Sequence, residues 1–472
     1  MATMFDRTGI ARWARVGVMA VFAAVASAPT LAAQTGTAPT TPAQTAVAQP
    51  RTITFADAVS IALRQNGTLR QAVNAAALDT VSVRQSQMQF LPSVSLSSST
   101  SQSLQPFANS ASSGSAVGPV TSTAVNAGVS SSLVLFNGGA NRAELAQARL
   151  VQQAGGQEVE RTRQSVVFTV VSNYLDLTSN QEQLRVRRET LASEEALLQQ
   201  VVAFVNAERR PIADRYTQEA AVASARLGVV QAANAVELAK VDLIQTLQLD
   251  PRGEYDFQPP PAGAASASPA TLPALLDRAL EGRADLAARE SELAAAAQGV
   301  RVARASRLPT VTVSAGYNTN LNSSNDEGFF DQFTQRQGGS VQVGVSLPIF
   351  DRGNAAAETQ RARITQDNAR IALQNQQQQV ALEVRRAWLD WQAAGQQLAA
   401  AQAQVTAAER SLDATRQRYQ AGVGTLTELT QARNTLASAQ SQLVSARYNL
   451  VFQRTLVDYY VGTLNPDAVS IG

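Results

Sequence analysis

An internal duplication is the feature that most constrains this chain. A constant shift of 214 positions aligns residues of the first half with residues of the second half, and no gap is needed. The matched positions are Leu133 with Leu347, Leu135 with Ile349, Phe136 with Phe350, Tyr174-Leu175-Asp176 with Trp388-Leu389-Asp390, and Asp214 with Glu428. Solenoid repeats have much shorter periods of about 20–50 residues. The sequence therefore predicts a duplicated half-protein, with repeat 1 over 52–257 and repeat 2 over 272–462.

The N-terminus has the layout of a secretory signal peptide. Three arginines precede an apolar run over 16–25, and small residues follow that run. The run is half the length of about 20 residues that a membrane-spanning helix needs, which argues against the alternative of a retained anchor. We predict a signal peptide over 1–33, cleaved between positions 28 and 33, and an exported mature chain.

The remaining segments outside the repeats are rich in alanine, proline, threonine and serine and lack periodicity. They predict a disordered linker over 34–51, a second linker over 258–271 and a C-terminal tail over 463–472. The second linker separates the two repeats.

The composition excludes several classes of chemistry. Cysteine and histidine are absent from the sequence, which removes disulfides, thiol nucleophiles, the commonest zinc ligands and the usual near-neutral acid–base group. The sequence predicts no enzyme, no metal site and no cofactor. A formal net charge of +2, with arginines scattered beside acidic residues, gives no indication of a nucleic-acid partner.

Four segments alternate apolar residues with small polar residues, at about 91–104, 123–136, 308–321 and 338–350. Each is long enough for the roughly 9–11 residues of a tilted transmembrane strand. The smallest known outer-membrane barrels have about eight strands, so four cannot close alone and several copies must share one barrel. A soluble sandwich is the alternative, but it needs a second layer to cover the apolar face.

Long helices connect these strands to tight turns. Helices are predicted over 140–205 and 354–419, each free of proline and roughly 100 Å long, with return helices over 214–248 and 428–460. Alanine and leucine alternate at heptad spacing from Leu429 onward, which is typical of helices that interlock as knobs into holes. A coiled-coil rod would explain these seams but not the strands between them.

Short motifs recur in the same order in both repeats. They are Phe90-Leu91-Pro92-Ser93-Val94 with Leu308-Pro309-Thr310-Val311, Leu135-Phe136-Asn137-Gly138-Gly139 with Ile349-Phe350-Asp351-Arg352-Gly353, and Arg418-Tyr419-Gln420-Ala421-Gly422 ahead of Ser445-Ala446-Arg447-Tyr448-Asn449. With these motifs the chain resembles the TolC-type outer-membrane factors, the outer membrane efflux protein family, over essentially all of 52–462.

The resemblance implies an α+β membrane protein that forms a homotrimer with a shared transmembrane β-barrel, four strands per protomer, continued by a long coiled-coil-like helical barrel. It implies a location in the outer membrane of a Gram-negative bacterium, in contact with its lipid and extending into the periplasm. The implied function is a passive export duct of a tripartite efflux pump or a type I secretion system. The implied partners are a periplasmic adaptor, or membrane fusion protein, and an inner-membrane transporter.

The resemblance also places extracellular loops near 105–123 and 322–338 and the periplasmic tip at the turns near 206–213 and 420–427. Acidic residues Asp214 and Glu428 follow the two turns at matching positions. A ring of like carboxylates at a constriction selects by charge. Gln431 stands where the family often has a second acid, which predicts weaker cation selectivity.

The tip supplies the candidate functional residues, whose side chains could pair between neighbouring helices and hold the tip shut. The gate candidates are Glu428, Asp214, Tyr419, Arg209, Arg210 and Arg215. The candidate adaptor-docking residues in the turns are Ala207, Pro211, Gly422, Gly424 and Thr425. The alternative is a set of ordinary surface ion pairs, worth about 0–1 kcal/mol each.

Other functions remain open from the sequence. A structural or adhesive protein that spans the periplasm without transport would also contain long coiled coils. A periplasmic adaptor would have the helical hairpins but lack membrane-length strands, and a nutrient porin would lack the helices. The cargo, whether drugs, metals or secreted polypeptides, the transporter, and the open or closed resting state are not encoded in any recognisable motif.

Overall fold

The computed structural model describes residues 51–105, 108–109, 116–117, 120–258, 271–322, 331–332, 335 and 337–464. The predicted signal peptide, most of both linkers and of the two predicted extracellular loops, and most of the C-terminal tail lie outside the described residues. The strands are β1 (Arg51–Ile53), β2 (Ser93–Gln105), β3 (Ala108–Asn109), β4 (Ala116–Val117), β5 (Val120–Asn137), β6 (Tyr255–Phe257), β7 (Thr310–Asn322) and β8 (Gln337–Ser346). The helices are α1 (Phe55–Gln65), α2 (Gly67–Met88), α3 (Ala140–Asn206), α4 (Ile212–Thr246), α5 (Leu272–Gly282), α6 (Ala284–Ala305), α7 (Asn354–Gln420) and α8 (Leu426–Val461).

One antiparallel sheet joins the two repeats in the order β2-β5-β7-β8. The pairing between repeats runs along β5 and β7, from Ala124 opposite Asn322 to Asn137 opposite Thr310. In the described part of the chain, β2 and β8 lie at the edges of this sheet. Edge strands present unpaired backbone donors and acceptors, so the sheet can extend at both sides.

The two faces of the sheet differ because side chains alternate along each strand. Valines on β8 point to one face and are exposed in the protomer, with Val341 at 78% and Val343 at 64% of full exposure. Serines pair across the other face, where the hydroxyls of Ser95 and Ser130 lie 2.8 Å apart. One face is therefore apolar and uncovered, and the other is polar and hydrogen-bonded.

Strand β8 ends at Ser346, four residues before the predicted end at 350. The partner strand β7 begins at Thr310, opposite Ser346, and beyond this pair Pro309 and Pro348 have no backbone N–H to donate. The apolar alternation continues past this point, since Leu347 and Ile349 are exposed, but the hydrogen-bond ladder does not.

Both strand-to-helix corners use the same cap. The side chain of Asn137 accepts from the N–H of Asn141 at 3.2 Å, and the side chain of Asp351 accepts from the N–H of Ala355 at 2.6 Å. These positions are related by the 214-residue shift. Each side chain satisfies a backbone donor that the first turn of a helix leaves unpaired, so each long helix begins at an equivalent place.

Helices α3 and α7 each contain 67 residues, which at 1.5 Å per residue gives a length of about 100 Å. Helix α3 packs against α4 and α8, and α8 packs against α7, so the four helices form a row in the order α4, α3, α8, α7. Among the described residues, the helices all fall short of the combination of length and apolarity needed to cross a membrane.

A hydrophobic core of the first repeat surrounds the two short strands β1 and β6, which pair in parallel. Tyr174 on α3 is fully buried there and packs edge-on against Phe55, with ring centroids 5.3 Å apart. Its hydroxyl faces two backbone oxygens, Ile53 O at 3.2 Å and Gln258 O at 2.5 Å. Burial raises the pKa of Tyr174, so the hydroxyl keeps its proton and donates it to this pair of carbonyls.

A buried ionic cluster ties the second repeat to the first. The guanidinium of Arg283, 3% exposed, lies 2.6 Å from Asp285 and 2.8 Å from Glu383 on α7. Arg161 on α3 approaches Asp285 at 4.0 Å. Burial acts to raise the pKa of Asp285, but the hydrogen bonds and charge of Arg283 and the charge of Arg161 outweigh it and hold the pKa below its ordinary value. The carboxylate is therefore charged and fully engaged.

Candidate functional site

The two helical hairpins end in tight turns that hold the predicted gate residues. Helix α3 ends at Asn206 and α4 begins after Pro211, whose fixed φ of −69° suits a position just before a helix. Helix α7 ends at Gln420, where Gly422 adopts a left-handed φ of 80°. Thr425 then caps α8, because its hydroxyl accepts from the N–H of Glu428 at 3.2 Å.

Arg210 joins the two turns within one protomer. Its Nη2 atom donates to the backbone oxygens of Tyr419, at 3.2 Å, and Gly424, at 3.3 Å. Its guanidinium also lies over the Tyr419 ring, 4.5 Å from the centroid. These contacts couple the first hairpin to the end of α7 through two backbone acceptors and a cation–π interaction. We call this contact the Arg210–Tyr419 brace.

Tyr419 is the buried part of the brace, with 1% of its surface exposed. It packs in an apolar cluster with Leu197 and Val201 from α3 and Leu426 and Leu429 from α8. Its hydroxyl is buried and has no hydrogen-bond partner among the described residues. Burial raises the pKa of Tyr419 and the charge of Asp214 raises it further, against the opposing effect of Arg210, so the phenol remains neutral.

The other predicted gate residues make different contacts. Glu428 pairs with Arg418 at 3.4 Å, between the end of α7 and the start of α8, and both side chains are about half exposed. Arg215 pairs with Glu219 one turn along its own helix at 2.8 Å. Exposed pairs of this kind are worth about 0–1 kcal/mol each. The structure thus brings Arg210 and Tyr419 together and leaves Arg215 in a local helix pair.

The remaining tip residues are mostly accessible. Arg209 is exposed, and Asp214 is half-buried near Tyr419. The predicted docking residues Ala207, Pro211, Gly422 and Thr425 are exposed as well. Gly424 is buried instead, because the chain folds back on Arg418 and Tyr419, and a Cβ there would lie 3.0 Å from the Tyr419 nitrogen.

A polar cluster above the tip was not predicted from the sequence. Glu194 on α3 is nearly buried. Its carboxylate accepts hydrogen bonds from Arg433 Nε on α8 at 2.9 Å and from Gln218 Nε2 on α4 at 2.5 Å. Gln218 itself is fully buried. The cluster links three helices of the row. A local sequence pattern could not predict this cluster, because Glu194 and Arg433 lie 239 residues apart in the chain.

A groove of about 970 Å³ lies between the four long helices. Amide and hydroxyl side chains and alanines line it, and all four helices contribute, for example through Gln183 on α3, Ser224 on α4, Gln404 on α7 and Ser441 on α8. Helices α4 and α7 stand at opposite ends of the row, yet both reach this groove, so the row is curved and the groove lies on its concave face. We call it the polar groove.

Clusters of three or more metal-binding side chains of the His, Cys, Asp and Glu types are not found within the described ranges. The chemistry available at the tip and in the groove is that of charge, hydrogen bonding and shape.

Comparison with known proteins agrees with this architecture. The profile of the family described as "Outer membrane efflux protein" matches residues 58–247 and 275–462, one segment in each repeat. The chain is 24% identical over 344 residues to outer membrane efflux protein BepC of Brucella suis biovar 1 (strain 1330), covering 73% of each chain. It is 28% identical over 301 residues to pyoverdine export outer membrane protein OpmQ of Pseudomonas aeruginosa, covering 61% of this chain and 60% of that one.

Solved structures share the fold. The outer-membrane channel OprN superposes with a TM-score of 0.74 at 21% sequence identity, covering 87% of this chain and 90% of that chain. The fold of a small sheet joined to long helical hairpins is therefore one that this chain shares with a known outer-membrane protein. This chain belongs to the outer membrane efflux protein family.

Proposed function

We propose that the protein is the outer-membrane duct of an export system, a passive channel whose transport is driven by an inner-membrane transporter through a periplasmic adaptor. The observation that carries this proposal is one sheet with an uncovered apolar face, joined to two helices of about 100 Å. Membership of the efflux family and likeness to proteins named for efflux and pyoverdine export support it.

Several copies would complete the membrane-spanning part. In lipid, an open sheet edge leaves backbone groups unpaired at a cost of several kcal/mol each, so β2 of one copy would pair with β8 of the next. Likeness to the family favours three copies. The curved helix rows would then enclose a common channel, with their concave faces inward.

The Arg210–Tyr419 brace is proposed as the latch of the closed tip. Separating the end of α7 from the first hairpin would break both backbone contacts of Arg210 and expose the apolar cluster around Tyr419. The acidic residues Asp214 and Glu428 would set the charge of the aperture. The exposed turn residues Ala207, Pro211, Gly422 and Thr425 remain the candidates for adaptor contact.

The test is the oligomeric mass of the purified mature protein in detergent, followed by single-channel conductance in planar bilayers. We expect an oligomer with small conductance that rises several-fold in Arg210→Gln. Arg209→Gln is the matched control. Arg209 was also a gate candidate, but its side chain is exposed, so removing the same charge there should leave conductance unchanged if the latch depends on Arg210.

Two further variants distinguish the role of the Tyr419 ring from that of its hydroxyl. Because the hydroxyl has no partner, Tyr419→Phe should conduct like the wild type, whereas Tyr419→Ala empties the apolar cluster and should open the tip. Equal conductance of Arg210→Gln, Tyr419→Ala and the wild type would rule out the latch. A monomer or an ion-tight rod would instead support a structural or adhesive role.

A further inference from the structure

The polar groove contains one charge that the described residues of the protomer leave without an ion pair. Two charged side chains line the groove, Arg187 and Glu194, both on α3. Both carboxylate oxygens of Glu194 are engaged, Oε1 by Arg433 and Oε2 by Gln218. Arg187 is exposed and, within the part of the chain that the structure describes, forms no ion pair. The groove therefore carries an uncompensated positive charge.

The side chain of Arg187 lies on the α3–α4 side of the groove. Its side chain runs from α3 toward α4, where its Cδ lies 3.7 Å from the place that a Cβ on Gly228 would occupy. Amides and hydroxyls surround it, including Gln183 and Thr190 on the adjacent turns of the same helix. A guanidinium without an ion pair binds carboxylates, sulfonates and phosphates, since its paired N–H groups can each donate to one oxygen of the anion.

The rest of the lining suits a solute larger than a simple ion. At about 970 Å³ the groove is at the upper end of the roughly 300–1,000 Å³ of drug-sized ligand sites. Alanines at 221, 400 and 437 leave flat apolar patches between the polar side chains. Oxygens of the lining amides, such as Gln183 Oε1 and Gln404 Oε1, add hydrogen-bond acceptors to the groove wall.

We propose that the polar groove is a transit site for organic anions of drug size, with the Arg187 guanidinium binding the anionic group and the surrounding amides and hydroxyls contacting the body. The proposal rests on the export function proposed above, because that function places the concave face toward the channel. A site in a duct must bind strongly enough to admit a solute and weakly enough to release it. A single exposed guanidinium in an open groove meets this condition.

The experiment uses the fluorescent trisulfonate 8-hydroxypyrene-1,3,6-trisulfonate as the anionic probe. Its anisotropy is titrated with the purified full-length oligomer in detergent, and its block of single-channel current is measured in bilayers. We expect Arg187→Gln to weaken binding and block by about tenfold or more, as when a hydrogen bond to a charged group is lost. Arg187→Glu should abolish both, and Arg187→Lys should retain part of each.

Arg188→Gln is the matched control. Arg188 is an exposed arginine one position further along α3 and does not line the groove. The variant should bind the probe like the wild type, and all variants should keep the wild-type oligomeric mass and helical circular dichroism. If Arg187→Gln and Arg188→Gln weakened binding equally, or if a cationic dye of the same size bound as well as the trisulfonate, the anion site would be refuted.

The two proposals can fail separately. Conducting channels whose probe binding is independent of Arg187 would refute the anion site and leave the duct intact. Arg187-dependent binding to a protein that never conducts would refute the duct and leave an anion-binding groove.

Discussion

At the residue scale, the buried charges of this chain join helices of the second repeat, and Arg161 of the first repeat approaches them at 4.0 Å. Arg283 is 3% exposed and is satisfied by Asp285 and by Glu383, which stands 100 positions along the chain on α7. Gln376 adds a hydrogen bond to Asp285 at 2.9 Å. Breaking one partner of a buried pair leaves an uncompensated charge, which costs far more than losing an exposed pair. The cluster is thus a structural joint.

The pH dependence of stability should report this joint. Because the pKa of Asp285 lies below its unfolded value of 3.8, its contribution is present above about pH 3.8 and disappears as pH falls through the folded pKa. Asp285→Asn should therefore reduce the unfolding free energy at neutral pH by about 1.5–3 kcal/mol, the value of a hydrogen bond to a charged group. Denaturant unfolding in detergent at several pH values measures it.

The control for this prediction is Glu292→Gln. Glu292 forms a comparable pair with Arg289, but both side chains are about half exposed, so the change should be within about 0.5 kcal/mol. A loss in Asp285→Asn that persisted undiminished at the lowest pH would contradict the assignment, since protonation of Asp285 should by then have removed the same interaction from the wild type.

At the scale of the secondary-structure elements, the strand-to-helix corners differ between repeats in an informative way. Gly138 has φ of 67°, and a Cβ there would lie 2.6 Å from the backbone oxygen of Ala305. Its counterpart 214 positions later is Arg352, with a similar φ of 55°. Positive φ alone is therefore tolerated by a side chain at this corner, and close approach of α6 explains why repeat 1 has glycine.

Alanine substitutions at the adjacent glycines test this reading. Gly139 also has positive φ, 86°, but its missing Cβ would meet nothing within 4 Å. Gly139→Ala should cost about 1–2 kcal/mol, the strain of a left-handed non-glycine residue. Gly138→Ala should cost clearly more, because the backbone of α6 must also move. Thermal unfolding of the two variants in detergent compares them, and equal losses would show that the contact with Ala305 does not matter.

The long elements of this fold are readable from the sequence, and the short ones are not. A proline-free stretch extends over many turns, so the bounds of α3 and α7 agree with the predicted ones within a residue or two. Strands β1 and β6 have three residues each, too few to show an alternation of apolar and polar residues. They are stabilised by their pairing with each other and by the contact with Tyr174. The alternation near 347–350 misleads because proline interrupts the ladder without changing the apolar pattern.

The candidate site was likewise predictable from the sequence only in part. The positions of Arg210 and Tyr419 beside the two turns allowed both residues to be predicted from the sequence. The atoms in contact could not be predicted: Arg210 meets backbone oxygens and the face of the Tyr419 ring, not the phenol hydroxyl. Glu194, Gln218 and Arg433 could not be selected at all. Their contact depends on the rotational setting of three helices, which heptad spacing alone does not specify.

At the scale of the whole molecule, the uncovered face of the sheet should control assembly. Val343 on β8 points to the apolar face, and Gln342 beside it points to the opposite face. If the apolar face contacts lipid, Val343→Arg should cost about 2–4 kcal/mol near the membrane centre and reduce the amount of oligomer recovered from outer membranes. Gln342→Arg should assemble normally.

Semi-native electrophoresis of outer-membrane extracts gives the measurement, with total protein as the reference for expression. Equal assembly of both variants would contradict a lipid-facing role for the valines of β8. A failure confined to Gln342→Arg would mean that the sheet is inserted with the opposite face outward.

Helices α3 and α7 are equal in length to the residue, and this equality constrains how such a protein can evolve. Arg210 reaches Tyr419 and Gly424 only because both hairpins end at the same height. Losing one heptad from each arm of a single hairpin would separate these partners by about 10 Å. Insertions and deletions in the long helices should therefore be retained only when both repeats receive them. The lengths of the two hairpins should stay equal in evolution even while their side chains diverge.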